Sequence, residues 1–156
     1  MKTCLYQKIS SLLLVAVLIA ASAISALALD PKGRPKGMGP NAPGGYFIWQ
    51  DERGWHLRTT SGNEKHHFEA EITSEGGTIS AAKQYRDEPA SWLKQQGSKI
   101  TIDLTTEKNI DGIDFQSSGG SLTFKLRIDG QEDPERIQIG ANSDRPSGIP
   151  FTIPVR

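Results

Sequence analysis

Polar and apolar residues alternate along much of this chain. Ile100, Ile102 and Leu104 are separated by Thr101 and Asp103, and Leu122, Phe124, Leu126 and Ile128 by Thr123, Lys125 and Arg127. Ile137 and Ile139 flank Gln138 in the same way. A period of two sends successive side chains to opposite faces of an extended backbone, so each run predicts a half-buried antiparallel strand. Turn-forming clusters punctuate the runs: Asp51-Glu52-Arg53-Gly54, Ser61-Gly62-Asn63, Gly76-Gly77, Ser117-Ser118-Gly119-Gly120 and Asp129-Gly130. A short helix is expected only over residues 87–96, opened by Glu88-Pro89 and closed by Gly97.

Register follows from requiring paired strands to bury the same face. A turn at Ser61-Gly62 then sets Trp55 opposite Phe68 and His56 opposite His67. By the same reasoning Ile102 faces Phe115, Ile113 faces Phe124, Leu126 faces Ile139, and Asp129 stands opposite Arg136. Phe47 and Trp49 join Trp55 and Leu57 through the turn at 51–54, giving an interior of Phe47, Trp49, Trp55, Phe68, Phe115 and Phe124. The expected fold class is all-β: an antiparallel β-sandwich of about nine strands, mostly consecutive hairpins. An up-and-down β-barrel is the alternative. The long connection at 87–98 and the irregular stretch 141–150 favour the sandwich, because each offers a crossing between sheets. Residues 151–155 read as a short edge strand, since Pro154 has no N–H for a ladder.

A different pattern occupies the N-terminus. Lys2 and Lys8 precede an apolar run from Leu12 to Ala21, which grades into small residues ending Ala26-Leu27-Ala28. That is the layout of a secretory signal peptide over residues 1–28, with the mature chain starting at Leu29 or Asp30. An uncleaved anchor is the rival, because residues 12–29 come close to the roughly 20 apolar residues that span a bilayer. Ser22 and Ser25 dilute that stretch, and Lys32, Arg34 and Lys36 beyond it weaken the charge asymmetry an anchor uses. The expected localisation is therefore secreted, periplasmic or cell-envelope, with membrane contact only through the signal segment if it stays uncleaved.

Residues 29–45 carry four prolines and five glycines and almost nothing apolar, which predicts a flexible spacer. Its three basic side chains also allow a basic arm that touches anionic envelope polymers or headgroups. Residues 46–156 are then one all-β domain. The only cysteine, Cys4, lies in the signal, so the mature chain forms no disulfide and no thiolate metal site. Removing Lys2 and Lys8 leaves sixteen basic residues against eighteen acidic ones, a net charge of −2 with neutral histidines. That balance gives no electrostatic reason to expect nucleic acid.

Catalytic motifs are missing: there is no Gly-x-Ser-x-Gly, no phosphate-binding glycine loop and no His-Glu-x-x-His. No catalytic residues and no cofactors are expected. His56 and His67, if opposed, would have Cβ atoms about 5 Å apart, and Glu69 two positions along could complete an open metal site. A solvated strand face that happens to carry histidines explains the same residues more simply, and His66 is expected to turn inward at the core edge. The loop 129–135 presents oxygen ligands at alternate positions, yet Pro134 and Gly140 stand where a calcium loop needs glycine and glutamate. Tyr46, Tyr85 and Trp92 are the aromatics left over for stacking on a sugar, although a tryptophan in a loop such as 87–98 more often plugs the loop onto the core.

Gly54-Trp55-His56-Leu57-Arg58-Thr59-Thr60, His67-Phe68-Glu69-Ala70-Glu71-Ile72, Asp111-Gly112-Ile113-Asp114-Phe115, Ile139-Gly140 and Pro150-Phe151-Thr152 together resemble small exported prokaryotic β-domain proteins of uncharacterised function. The resemblance covers most of residues 46–155. It implies the domain boundaries and brings no catalytic or ligand residue. The expected function is an exported, non-catalytic interaction module, binding a glycan or an envelope protein. A calycin-like barrel carrying a small apolar ligand is the alternative, and a metal-dependent enzyme built on His56, His67 and Glu69 comes third.

Overall fold

Strands form wherever the alternation is regular. The computed structural model describes residues 28–156, so the signal peptide expected over residues 1–28 lies, but for Ala28, outside the described residues. Ten strands follow in chain order: β1 (Gly45–Asp51), β2 (Gly54–Thr60), β3 (His66–Glu75), β4 (Thr78–Gln84), β5 (Leu93–Gln96), β6 (Lys99–Thr106), β7 (Ile110–Ser118), β8 (Ser121–Ile128), β9 (Ile137–Ile139) and β10 (Phe151–Pro154). They make two five-stranded sheets, sheet A in the order β4-β7-β2-β1-β9 and sheet B in the order β10-β8-β3-β6-β5. No closed barrel is formed, and the described residues contain no helix. The barrel alternative therefore falls.

Connectivity departs from the expected chain of hairpins. Only β1–β2 and β5–β6 join neighbours in a sheet, and the other seven connections cross from one sheet to the other. β2 pairs with β1 and β7, while β3 pairs with β6 and β8, so Trp55 and Phe68 are not ladder partners, nor are His56 and His67. The pairs Ile102–Phe115, Ile113–Phe124, Leu126–Ile139 and Asp129–Arg136 are lost for the same reason: in each, the two residues belong to different sheets or to a crossing loop. An arch that stacks one strand over the next buries the same alternate residues as a hairpin does, so the pattern is blind to the difference.

Between the sheets lie the rings and branched chains of the core. Trp55 sits 6.3 Å from Phe124, which stacks on Phe151 at 5.1 Å. Tyr46, wholly buried on β1, packs edge-on against Phe68 and sends its hydroxyl across to the carbonyl oxygens of Glu69 (2.8 Å) and Arg127 (2.9 Å). Burial, with the Glu69 charge adding to it, holds this phenol well above its ordinary pKa, so it stays a donor. At one end the 76–77 and 119–120 glycine pairs nest together. A Cβ on Gly77 would overlap the Gly119 carbonyl, and one on Gly120 the Glu75 carbonyl.

β1 corrects two expectations. Its hairpin with β2 pairs Ile48 with Leu57 and Trp49 with His56, so Tyr46 and Ile48 face the core while Phe47 and Trp49 face outward. Four consecutive apolar or aromatic residues, Tyr46 to Trp49, suit a strand covered on both sides. The cover is the segment expected to be a flexible spacer. Gln50 N donates to Pro31 O (2.7 Å), Gly33 N to Gln50 O (3.0 Å), Ala141 N to Lys32 O (2.9 Å), and Thr60 Oγ1 to Pro43 O (2.6 Å). Ala42 and Met38 pack on Phe47 and Trp49. Residues 29–45 thus form a strap over sheet A, ordered because two large rings would otherwise lie open to water.

The expected helix at 87–96 is replaced by β5, which turns at Gly97 and pairs with β6. A ten-residue helix with no apolar stripe is marginal alone, whereas the open edge of β6 offers ladder bonds. Gln95 then closes the gap between the sheets. Its Oε1 accepts from Ala82 N (3.1 Å) and its Nε2 donates to Ile79 O (3.1 Å), satisfying the edge of β4 where the bulge between Ser80 and Lys83 breaks the register.

Candidate functional site

The residues proposed from sequence are dispersed. His56 lies on the outer face of sheet A and His67 and Glu69 on the outer face of sheet B, so the three do not converge on a metal. No group of three or more metal-ligating side chains converges among the described residues. Tyr46 is consumed by the core. Tyr85 is half-buried, its ring between the guanidinium groups of Arg58 (4.4 Å) and Arg86 (5.0 Å), its hydroxyl donating to Ile110 O (3.1 Å). Trp92 is half-buried and packs against the core, fastening the 87–98 connection. His66 turns to the core edge against Phe68, its Nδ1 2.7 Å from Asp129. Within the acidic loop, Asp129, Glu132 and Asp133 are engaged by His66, Arg127 and Arg145, so these three carboxylates are spent on internal contacts.

Two polar constructions stand out, one per sheet. On sheet A, His56 is 6% exposed, stacks on Trp49 at 4.7 Å, and lies with Nδ1 2.7 Å from Asp114 and Nε2 2.9 Å from Asp51. A carboxylate only accepts, so this arrangement favours a ring that donates from both nitrogens, the protonated form. Burial disfavours that charge, but the bonds to Asp114 and Asp51 outweigh it and raise the His56 pKa. The same bonds outweigh burial at the two aspartates and hold their carboxyls below the usual range. Arg58 reaches the same Asp114 oxygen at 2.7 Å, with Trp49 on one side and Tyr85 on the other. Gly112 makes room here, since a Cβ would overlap the Leu57 carbonyl. With both ring nitrogens engaged, His56 has no lone pair for a substrate proton. The cluster ties β1, β2 and β7 together on the outer face of sheet A.

On sheet B the outer face is open. β6, β3 and β8 lie side by side there, with Glu69 between Asp103 and Arg127, and Glu71 between Thr101 and Lys125. Glu132, Ile149 and Pro150 raise one wall, making a trough of about 490 Å³. Several of its charges are already paired. Lys99 (2.8 Å) and Lys125 (3.6 Å) share Glu71, and the Lys99 bond, against slight burial, lowers the Glu71 pKa. His67 binds Asp103 at 2.7 Å, which raises the His67 pKa. The Glu69 carboxylate has no ion-pair partner among the described residues and sits at the centre of the floor.

Of the sequence candidates, Glu69 alone lines this trough. Thr101, Asp103, Lys125 and Arg127 were missed. Alternation marked each as outward-facing, but only the strand order β6-β3-β8 puts them beside one another. What the arrangement offers chemically is a row of carboxylates, hydroxyls and cationic donors on a preformed surface, a hydrogen-bonding floor with no aromatic ring among its lining residues. Comparison with protein-family models, with curated proteins and with solved structures finds no match, so the site is read from its own geometry.

Proposed function

We propose that this chain is an exported, non-catalytic binding module of the cell envelope or its exterior, and that a glycan lies in the trough of sheet B. The observation that carries the reading is the free Glu69 carboxylate amid Thr101, Asp103, Lys125 and Arg127 on a preformed trough. Adjacent sugar hydroxyls can donate to one carboxylate while their oxygens accept from a neighbouring lysine or arginine, so a floor of mixed acceptors and donors suits a polyhydroxylated chain. The signal layout of residues 1–28 and the resemblance to exported β-domain proteins support the compartment. A carrier of apolar ligands gains no support, because Tyr46, Trp55, Phe68, Phe115 and Phe124 fill the space between the sheets.

The test is a glycan array probed with the full chain and with Glu69→Ala, Arg127→Ala and Trp92→Ala. Binding that is lost in the first two variants and kept in Trp92→Ala supports the trough. Binding lost only in Trp92→Ala moves the site to the 87–98 connection, and an array with no hits sinks the glycan reading.

A further inference from the structure

The strap carries an arrangement that neither the core nor the trough uses. Pro-Lys-Gly is written twice within it, as Pro31-Lys32-Gly33 and Pro35-Lys36-Gly37, with Arg34 between. Pro35 is buried, Gly33 faces Ala141, and Gly37 rests on the Gln138 side chain, while Lys32, Arg34 and Lys36 are all exposed. None of the three is in an ion pair with a carboxylate among the described residues, unlike Arg58, Lys83, Lys99, Lys108, Lys125, Arg127 and Arg145. Asp30, the one acid of the strap, accepts from the Lys32 backbone N–H. The strap, residues 29–45, therefore carries +2, whereas residues 46–156 hold thirteen basic and seventeen acidic residues, −4. The strap is thus net positive while the rest of the domain is net negative.

Position says what the strap meets. Lys32 and Arg156 border the same small recess, about 170 Å³, as Ala28 and Leu29, so the chain enters the domain at the basic end. Immediately before that point in the sequence lies the apolar run Leu12 to Ala21. A bilayer that holds the run lies within the reach of residues 22–27, about 20 Å, from this end of the domain. A row of cations standing on a surface rather than lining a cleft fits a plane of charge better than a single small anion.

We propose that the strap is a docking surface for an anionic membrane, with Lys32, Arg34 and Lys36 touching lipid headgroups. Sheet A and its strap then face the bilayer, and the trough on the opposite face of the molecule points away from it. The inference does not depend on what the trough binds. Each basic residue held near an anionic leaflet raises partitioning about fivefold, so the three together raise it on the order of a hundredfold.

The test is co-sedimentation of the full chain with vesicles of phosphatidylcholine, and of phosphatidylcholine with roughly one third phosphatidylglycerol. Wild type and variants share the apolar run, so the difference between the two vesicle types reads charge alone. Wild type should prefer the anionic vesicles by at least about a hundredfold and lose the preference in high salt. The triple variant Lys32→Gln/Arg34→Gln/Lys36→Gln should cut the preference on the order of a hundredfold, to the part that Lys2 and Lys8 supply, while leaving circular dichroism and glycan-array binding unchanged. A control triple, Lys65→Gln/Lys94→Gln/Lys108→Gln, removes equal charge from exposed sites outside the strap. Equal loss in the control would assign the effect to net charge and overturn the proposal. So would capture of inorganic polyphosphate by the strap without any preference for anionic vesicles, which would make the surface a site for a soluble polyanion.

Discussion

Asp114→Ala is the most informative perturbation of this protein. One Asp114 oxygen receives both His56 Nδ1 and Arg58 Nη2 at 2.7 Å. The two donors are nearly closed to solvent, with side chains 8% and 9% exposed, while the carboxylate itself is 26% exposed. Removing one partner of a buried ion pair costs about 3–5 kcal/mol because it strands the other charge. Water can reach part of this site and Asp51 stays beside His56, so the cost falls at or just below the bottom of that range, about 2–3 kcal/mol. For a domain of this size that lowers Tm by roughly 6–12 °C. Asp114→Asn keeps an acceptor without the charge and should fall between the variant and wild type.

The pH profile separates the ionic part from packing. Because the Asp114 carboxyl is held below its ordinary pKa, its contribution is present above the unfolded value, about 3.9, and is lost as pH falls through the folded one. The His56 pKa is raised, so its contribution is complete below the unfolded value, about 6.5, and is lost as pH rises through the folded one. Urea unfolding followed by tryptophan fluorescence from acid to mildly alkaline pH should give wild type a stability maximum between these limits, flattened on both sides in Asp114→Ala. A variant within about 0.5 kcal/mol of wild type, the range of an ordinary surface change, would refute the reasoning and make the cluster a solvated surface.

Phe124→Ala should cost about 3–5 kcal/mol in chemical denaturation, because the ring is wholly buried between Trp55 and Phe151. Tyr46→Phe should cost about 1–2 kcal/mol with core packing intact, as its hydroxyl is the donor that ties β1 to the Glu69 and Arg127 carbonyls. Gly120→Ala should destabilise by more than about 1 kcal/mol, measured as a lower Tm, since the residue has positive φ and a Cβ would strike the Glu75 carbonyl. Mass spectrometry of protein recovered outside the cytoplasm should find a terminus near Leu29, and recovery only as a membrane-bound full-length chain would favour the anchor.

Much of the fold was legible from alternation. Inward and outward positions of β3, β6 and β8 follow from period two, because a strand has two faces and the polar one must meet water. The β1–β2 hairpin was legible as a turn at 51–54, but not which β1 residues enter the core, since Tyr46, Phe47, Ile48 and Trp49 are all apolar or aromatic and only the pairing with β2 chooses. Glu69, Lys125 and Arg127 could be marked as outward-facing but not as members of one trough, because adjacency across a sheet depends on strand order. Composition also misjudged residues 29–45: glycine and proline made them look unstructured, but they cover Phe47 and Trp49 of the strand that follows, and only the pairing of β1 with β2 turns those two rings outward.

From sequence alone came the strand content, the absence of cysteine from residues 5–156 and the apolar run at the N-terminus, all read directly from neighbouring residues. Tertiary structure alone decided that seven connections arch between sheets, that His56 is locked between two aspartates, and that the trough and the basic strap occupy opposite faces. The physical reason is that hairpin and arch bury the same side chains and differ only in which backbone edges meet. That choice is made by non-local contacts such as Tyr46 reaching β3 and β8.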